Sequence, residues 1–133
     1  MIEINNKTRS KINIKQVERL AENFLKHYKI EDKEVSIAFV GDKAIRELNK
    51  KYRKIDKATD VLSFEGDNVN YLGEIVIDYT QIKRQARKYS KNIKEELNFI
   101  LIHGLLHLLG YEDETEKGVK EMEKIGNKLI KKI

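Results

Sequence analysis

The sequence predicts an α+β fold, in which a mixed sheet of about four strands packs against about five helices. Short runs of β-branched and aromatic residues interchange with longer stretches whose apolar residues recur at helical spacing. The order along the chain is strand, helix, strand, helix, and then two strands followed by three helices. The 133 residues contain no proline, repeat or linker that would mark a boundary, so we expect one domain over residues 1–133.

The first four elements alternate between strand and helix. A short strand over Met1–Asn5 precedes an amphipathic helix over Ile14–Tyr28, and a second strand follows over Glu34–Val40. The chain then turns, and we expect the Asp42 carboxylate to cap a second helix. The apolar side of that helix carries Ile45, Leu48 and Tyr52.

Two consecutive strands and three helices complete the predicted fold. The strands cover Thr59–Phe64 and Tyr71–Asp78, and we expect a turn at Gly66–Asn68 between them. The helices cover Tyr79–Tyr89, Ile93–Leu109 and Thr115–Ile130. The middle one of these helices carries a leucine and isoleucine stripe, which predicts that it is the central helix of the core.

Composition narrows the classes of function. The chain has no cysteine, so any metal must be held by histidine, aspartate or glutamate. No apolar run is long enough to span a membrane, and the first residues lack the apolar core of a secretory signal, so we expect a cytoplasmic protein. The 27 Lys and Arg against 22 Asp and Glu give a net charge of +5, which is compatible with a polyanionic partner.

Two windows concentrate the positive charge. One covers residues 50–54, and the other covers residues 83–94, where no acidic residue occurs. Either window is suited to RNA phosphates, and the second would guide RNA by attraction that depends on salt. The ordinary alternative is a solvated lysine-rich helix face. The tyrosine and phenylalanine residues are mostly explained by core positions, so no aromatic platform for bases is evident.

The most informative segment is His103-Gly-Leu-Leu-His107-Leu-Leu-Gly110-Tyr-Glu-Asp113. Imidazoles four residues apart share one helix face and can bind one cation. Gly110 is suited to the left-handed conformation that ends a helix, and the chain can then fold back to bring Asp113 to the same metal. This spacing matches the extended H-E-x-x-H-x-x-G-x-x-H signature. The sequence therefore predicts a metzincin-like metal helix with an open coordination position.

Two residues depart from that protease signature. Gly104 replaces the glutamate that serves as general base, and Asp113 replaces the third histidine. Peptide hydrolysis by the protease route is therefore disfavoured. The remaining histidine, His27, is interpreted as an ordinary histidine near the end of the first helix.

Three segments in the same order along the chain resemble the YbeY family of bacterial endoribonucleases and rRNA maturation factors. They are Leu48–Phe64, Leu72–Ile77 and His103–Tyr111, which include a Thr-Asp-Val-Leu-Ser-Phe strand and a His-Gly-x-Leu-His-Leu-x-Gly-Tyr helix. The resemblance implies a zinc-dependent endonuclease of single-stranded RNA that acts in 16S rRNA 3′-end maturation and ribosome quality control. It implies one Zn²⁺ per chain, with other divalent metals open, and ribosomal RNA and ribosome or small-subunit proteins as partners.

The resemblance also assigns residues. By matching positions, His103 and His107 would bind the metal, and Arg53 and His103 would be catalytic. The family has Asp-His where this chain has Glu112-Asp113, so Asp113 is the expected third ligand and Glu112 and Glu114 are the alternatives. With the two positively charged windows, the predicted RNA-binding residues are Arg53, Lys54, Lys83, Arg84, Arg87 and Lys88.

Two other classes of function stay open at this stage. One is a ribosome-assembly or RNA-binding factor in which the metal is structural and cleavage is weak or absent. The other is a metallohydrolase that acts on peptides or small molecules. The oligomeric state is open.

Overall fold

A computed structural model describes all residues 1–133. Its elements are β1 (Ile2–Asn6), α1 (Ile14–His27), β2 (Glu34–Val40), α2 (Asp42–Arg53), β3 (Val61–Asn68), β4 (Tyr71–Asp78), α3 (Tyr79–Lys88), α4 (Ile93–Leu108) and α5 (Glu116–Lys132). The four strands form one sheet. The predicted α+β class, element order, and numbers of strands and helices are therefore confirmed. None of the helices has an apolar stretch that could cross a bilayer.

The sheet is mixed, with strand order β1-β2-β4-β3. β1 pairs in parallel with β2, and β2 pairs in parallel with β4, where Ile37 lies opposite Ile75. β3 is an edge strand that runs antiparallel to β4, so that Val61 lies opposite Ile77. This register brings the beginning of β3 beside the end of β4.

Helix α4 is the centre of the core, as predicted. Its side chains Leu101, Ile102, Leu105 and Leu106 are completely buried. The helix contacts α1, α3, α5, β3 and β4. A capping box begins it, in which Asn92 and Glu95 each accept a hydrogen bond from the other's backbone N–H.

A glycine lets α4 lie close against the sheet. A Cβ atom at Gly104 would lie 3.0 Å from Cγ2 of Ile75 and 3.3 Å from Cγ2 of Val61. A side chain here, such as the glutamate of the protease signature, would require Ile75 and Val61 to move by a few tenths of an ångström. The same close contact holds the carboxyl-terminal half of α4 against β3 and β4.

The predicted turn at Gly66–Asn68 is wrong, because β3 continues through Asn68 and the chain reverses at the next two residues. The Asn68 side chain accepts hydrogen bonds from the backbone N–H groups of Asn70 and Tyr71, at 2.9 and 3.1 Å. A Cβ at Gly66 would lie 1.9 Å from the carbonyl oxygen of Tyr71. The absence of a side chain at Gly66 therefore allows β3 and β4 to lie close together.

The predicted cap of α2 is also wrong. Gly41 is the N-cap, no side chain caps the helix, and Asp42 is the first helical residue. Its carboxylate instead accepts hydrogen bonds from both terminal nitrogens of Arg84 on α3, at 3.0 and 2.6 Å. A bidentate guanidinium–carboxylate pair is stronger than a neutral capping bond, so it determines where this side chain lies.

Candidate metal centre

A pocket of about 690 Å³ lies at the carboxyl-terminal end of α4. Its walls are residues 59–65 at the start of β3, residues 110–114 after α4, and the last two residues of α2. His103 and His107 line it from α4. The edge strand, the core helix and the loop that follows this helix therefore meet at one cleft.

Three potential ligand atoms converge in this pocket. Nε2 of His103 lies 3.1 Å from Nε2 of His107 and 3.1 Å from Oδ2 of Asp113. Nε2 of His107 lies 3.4 Å from the same carboxylate oxygen. These residues come from two turns of α4 and from the loop beyond it, as the ligand spacing predicts.

Gly110 produces the fold-back. Its φ of +100° is in the region that residues with a Cβ rarely adopt. The N–H of Gly110 donates to the carbonyl of His107 at 3.0 Å, and the N–H of Tyr111 donates to the carbonyl of Leu106 at 3.2 Å. This is the Schellman arrangement, which ends a helix. The predicted left-handed helix end at Gly110 is confirmed.

The same helix end orients one imidazole. Nδ1 of His107 lies 3.0 Å from the carbonyl oxygen of Tyr111. A carbonyl only accepts hydrogen bonds, so Nδ1 carries the proton and the lone pair is on Nε2. Hydrogen bonds of this kind fix the orientation of metal-binding histidines in proteins.

The carboxylate of Asp113 is kept ionised. Partial burial raises the pKa of this carboxyl, but attraction to His107 and a hydrogen bond to His103 outweigh burial and lower the pKa below its ordinary value. Asp113 therefore offers an anionic oxygen at neutral pH.

The three atoms fit a small divalent cation. Ligands about 2.0–2.1 Å from a tetrahedral zinc ion are about 3.3–3.4 Å apart, which is close to the 3.1–3.4 Å separations found here. Two imidazole nitrogens and one carboxylate oxygen are also ligand types that zinc accepts. Three protein ligands would leave a further coordination position for water or substrate.

The third candidate ligand is Asp113. Glu112 and Glu114 line the same pocket, but the group whose ligand atoms all lie within 4.8 Å of one another consists of His103, His107 and Asp113. The geometry thus favours the expected ligand over both alternatives.

Comparison with known proteins identifies the family. The sequence model described as endoribonuclease YbeY matches residues 2–133. The chain belongs to the YbeY endoribonuclease family. Endoribonuclease YbeY of Acholeplasma laidlawii is 39% identical over 133 residues, which cover 98% of this chain and 96% of that protein. Endoribonuclease YbeY of Aquifex aeolicus is 40% identical over 121 residues, which cover 85% and 81% of the two chains.

A solved structure agrees with the fold. The solution structure of a Thermotoga maritima protein is 32% identical in sequence, with a TM-score of 0.68. The match covers 98% of this chain and 87% of that chain. The α+β architecture described above is therefore shared with an experimentally determined structure.

Arg53 lies in the same pocket as the three candidate ligands. It is the last residue of α2, it lines the cleft, and it forms no salt bridge with another residue of the chain. Lys54 follows it with a left-handed conformation, at φ +61°, and ends the helix without lining the pocket. Arg53 therefore has a guanidinium free for an anionic ligand.

The structure does not bring the cations of α3 into this pocket. Arg84 is paired with Asp42, and Lys83 donates to the hydroxyl of Ser10 at 2.9 Å. None of the four predicted RNA-binding residues of α3 lines the cleft, namely Lys83, Arg84, Arg87 and Lys88. A role for this helix in RNA binding remains a prediction about a second surface.

Sequence reasoning missed two features of the pocket. One is its acidity, since five carboxylates line it beside the single guanidinium, namely Asp60, Glu65, Glu112, Asp113 and Glu114. The other is Tyr52, which lines the pocket and is 57% exposed. Because Tyr52 is next to Arg53 in the sequence, it could have been predicted to lie near the pocket. Helical spacing instead predicted that Tyr52 lies on the apolar side of α2.

Proposed function

We propose that this chain is a zinc-dependent endoribonuclease of single-stranded RNA that acts in 16S rRNA 3′-end maturation and ribosome quality control. The observation that carries the proposal is the convergence of His103, His107 and Asp113 beside an unpaired Arg53 in one pocket. Membership in an endoribonuclease family supports RNA as the substrate. We further propose that residues 1–133 act as one cytoplasmic domain, with ribosomal RNA and ribosome or small-subunit proteins as partners.

The pocket residues would have different roles in phosphodiester hydrolysis. When bound, the zinc ion would supply Lewis-acid polarisation and lower the pKa of water. Arg53 has the planar fork of donors that binds two oxygens of one phosphate, so it would position the scissile phosphate and offset charge in the transition state. The hydrogen bond from His107 to the Tyr111 carbonyl keeps one ligand in its binding orientation.

The charge of the pocket gives the metal a second role. Five carboxylates and one guanidinium line the pocket, an excess of four negatively charged groups. This excess would repel an RNA phosphate. A divalent cation offsets part of this excess at the place where the phosphate must bind. Removal of zinc should therefore weaken RNA binding in the pocket as well as cleavage.

The residue at position 104 distinguishes the proposed nuclease from a zinc peptidase. A helix glutamate is the general base of the zinc proteases. This chain has glycine at the position, and a Cβ there would be in tight contact with Ile75 and Val61. The carbonyl of Gly104 is also occupied, because it accepts a hydrogen bond from the hydroxyl of Ser63 at 3.0 Å. Proton transfer is therefore assigned to other pocket groups or to solvent.

The proposal is tested by cleavage of a single-stranded ribosomal RNA fragment with zinc-loaded and zinc-depleted protein. The variants are His107→Ala and, as a matched control, His27→Ala, which removes an exposed histidine outside the pocket. Cleavage should require zinc and His107 but not His27. Absence of cleavage by a folded, zinc-loaded protein would instead favour an assembly factor with a structural metal.

A further inference from the structure

Tyr52 is an exposed aromatic residue at the rim of the candidate active site. It is 57% exposed, although it lies on the apolar side of α2. Its ring packs against the half-buried ring of Phe64 from β3, with centroids 5.3 Å apart and planes inclined by 67°. Both rings line the pocket that holds the three candidate metal ligands. Contact with Phe64 therefore holds an exposed ring in a defined place.

The surroundings of this ring suit a nucleic acid. The neighbouring residue Arg53 has no acidic partner, and the ammonium of Lys51 lies 5.2 Å from the centre of the Tyr52 ring. Lys51 is exposed, so its side chain can move away from the ring at little cost. One side of the rim thus combines an aromatic face with cations, while acidic groups occupy much of the remaining wall.

We propose that Tyr52 stacks on one unpaired base of the RNA, next to the phosphate that Arg53 contacts. This inference rests on the proposed function and adds a base-binding subsite to it. Stacking on an aromatic ring requires an unstacked base but tolerates any base identity. Tyr52 would therefore favour single-stranded RNA over duplex RNA without selecting a sequence.

The first test compares Tyr52→Leu with Tyr89→Leu. Tyr89 is a matched control, because it is 54% exposed, has the ammonium of Lys88 5.6 Å from its ring centre, and does not line the pocket. KM for cleavage of a single-stranded RNA should rise about 5- to 100-fold in Tyr52→Leu, which corresponds to the loss of one base stack. It should stay within about twofold in Tyr89→Leu and in the ring-conserving variant Tyr52→Phe.

A second measurement separates stacking from a general effect on the pocket. Single abasic nucleotides are placed in turn at each position around the cut, which removes one base and keeps the phosphate charge. The wild type should lose affinity at one position, and Tyr52→Leu should show no further loss at that position, as in a double-mutant cycle. An equal loss in both proteins would overturn the inference.

Fluorescence supplies an independent readout if Tyr52→Leu folds poorly. The chain has no tryptophan, so Tyr52→Trp introduces a single tryptophan at the rim, which can be excited selectively, and Tyr89→Trp provides its control. RNA should quench the first, and an abasic nucleotide at the identified position should remove that quenching. Any quenching of the second by RNA on α3 should not change with the abasic nucleotide. If the wild type cleaves RNA and Tyr52 variants match it in every assay, this inference alone fails. If the zinc-loaded wild type neither binds nor cleaves RNA, the proposed function fails as well.

Discussion

Nδ1–H of His107 donates a hydrogen bond to the backbone carbonyl of Tyr111, at 3.0 Å. The N–H of the same Tyr111 residue donates to the end of α4, at the carbonyl of Leu106. The residue that ends the core helix therefore also orients a candidate zinc ligand. Helix termination and metal binding are coupled through one peptide segment.

Substitution of Gly110 should disturb both parts of this coupling. Gly110→Ala puts a Cβ on a backbone with φ +100°, where open space around the position leaves conformational strain as the main cost. We expect a loss of about 1–2 kcal/mol in the free energy of unfolding. We also expect about 10- to 100-fold weaker zinc binding, the usual effect of losing an outer-shell partner.

Urea unfolding and zinc titration measure the two effects. Gly126→Ala is the control, because Gly126 is helical and its added Cβ would have an ordinary contact of 3.7 Å with Ile102. That variant should gain up to about 1 kcal/mol of stability and keep its zinc affinity. Unchanged zinc affinity in a destabilised Gly110→Ala variant would show that the helix end does not influence zinc binding.

Gly104 should be sensitive for a different reason. In Gly104→Ala the new methyl group meets Cγ2 of Ile75 at 3.0 Å, so the Ile75 side chain or α4 must move by a few tenths of an ångström. Overpacking of this kind costs about 1–3 kcal/mol. Urea denaturation should show this loss in comparison with Gly126→Ala, and equal stability of the two variants would mean that the helix–sheet contact accommodates a side chain.

A buried carboxyl should make stability depend on pH. Asp78 is fully buried and caps α3 by accepting hydrogen bonds from Thr80 and Gln81. Burial and the neighbouring Asp42 raise the pKa of Asp78 to about 7, so the protonated form is favoured in the folded state. The unfolded chain releases this proton near pH 4. The stability contributed by Asp78 is therefore full below that pH and is lost as pH rises towards about 7.

Asp78→Asn tests this dependence, because an amide still caps the helix and does not ionise. The free energy of unfolding of the wild type should fall between pH 5 and pH 7.5, measured in urea without zinc. The decrease in the free energy of unfolding of Asp78→Asn should be smaller than that of the wild type by more than about 1 kcal/mol. The reason is that a shift of one pKa unit corresponds to about 1.4 kcal/mol. Identical pH profiles would show that Asp78 titrates in the folded state as it does in the unfolded chain.

The prediction for α3 concerns RNA affinity at a distance from the cut. The double variant Arg87→Gln, Lys88→Gln should reduce the slope of log affinity against log salt by up to about 0.7 for each lost phosphate contact. Its zinc affinity should be unchanged, because neither residue lines the pocket. Lys131→Gln, Lys132→Gln, at the end of α5, is the charge-matched control. If both double variants have the salt slope of the wild type, α3 does not bind RNA.

Local pattern was sufficient to predict most of the fold and the grouping of the three candidate ligands. Helical spacing located α4, and the separations between His103, Gly110 and Asp113 predicted that one loop would bring the ligands together. These signals lie within ten residues of one another, where helix geometry and a glycine end determine the path of the chain.

The wrong predictions involve contacts that helical and strand spacing do not specify. Asp42 was assigned to a local cap, but it pairs with Arg84, which is 42 residues away. Gly66 was assigned to a turn, but the approach of β4 requires the absence of its side chain. The exposure of Tyr52 depends on how α2 meets β3, which helical spacing does not specify. Contacts of this kind depend on the tertiary structure and cannot be predicted from the local sequence pattern.

In the proposed function, His103, His107 and Asp113 hold the zinc ion that RNA cleavage requires. The most direct measurement determines zinc affinity and cleavage of a single-stranded RNA for the wild type, Asp113→Ala and the matched control Glu112→Ala. We predict that Asp113→Ala loses at least about tenfold in zinc affinity and loses cleavage at limiting zinc, while Glu112→Ala keeps the zinc affinity of the wild type. If Asp113→Ala binds zinc and cleaves RNA as the wild type does, Asp113 is not a zinc ligand that cleavage requires.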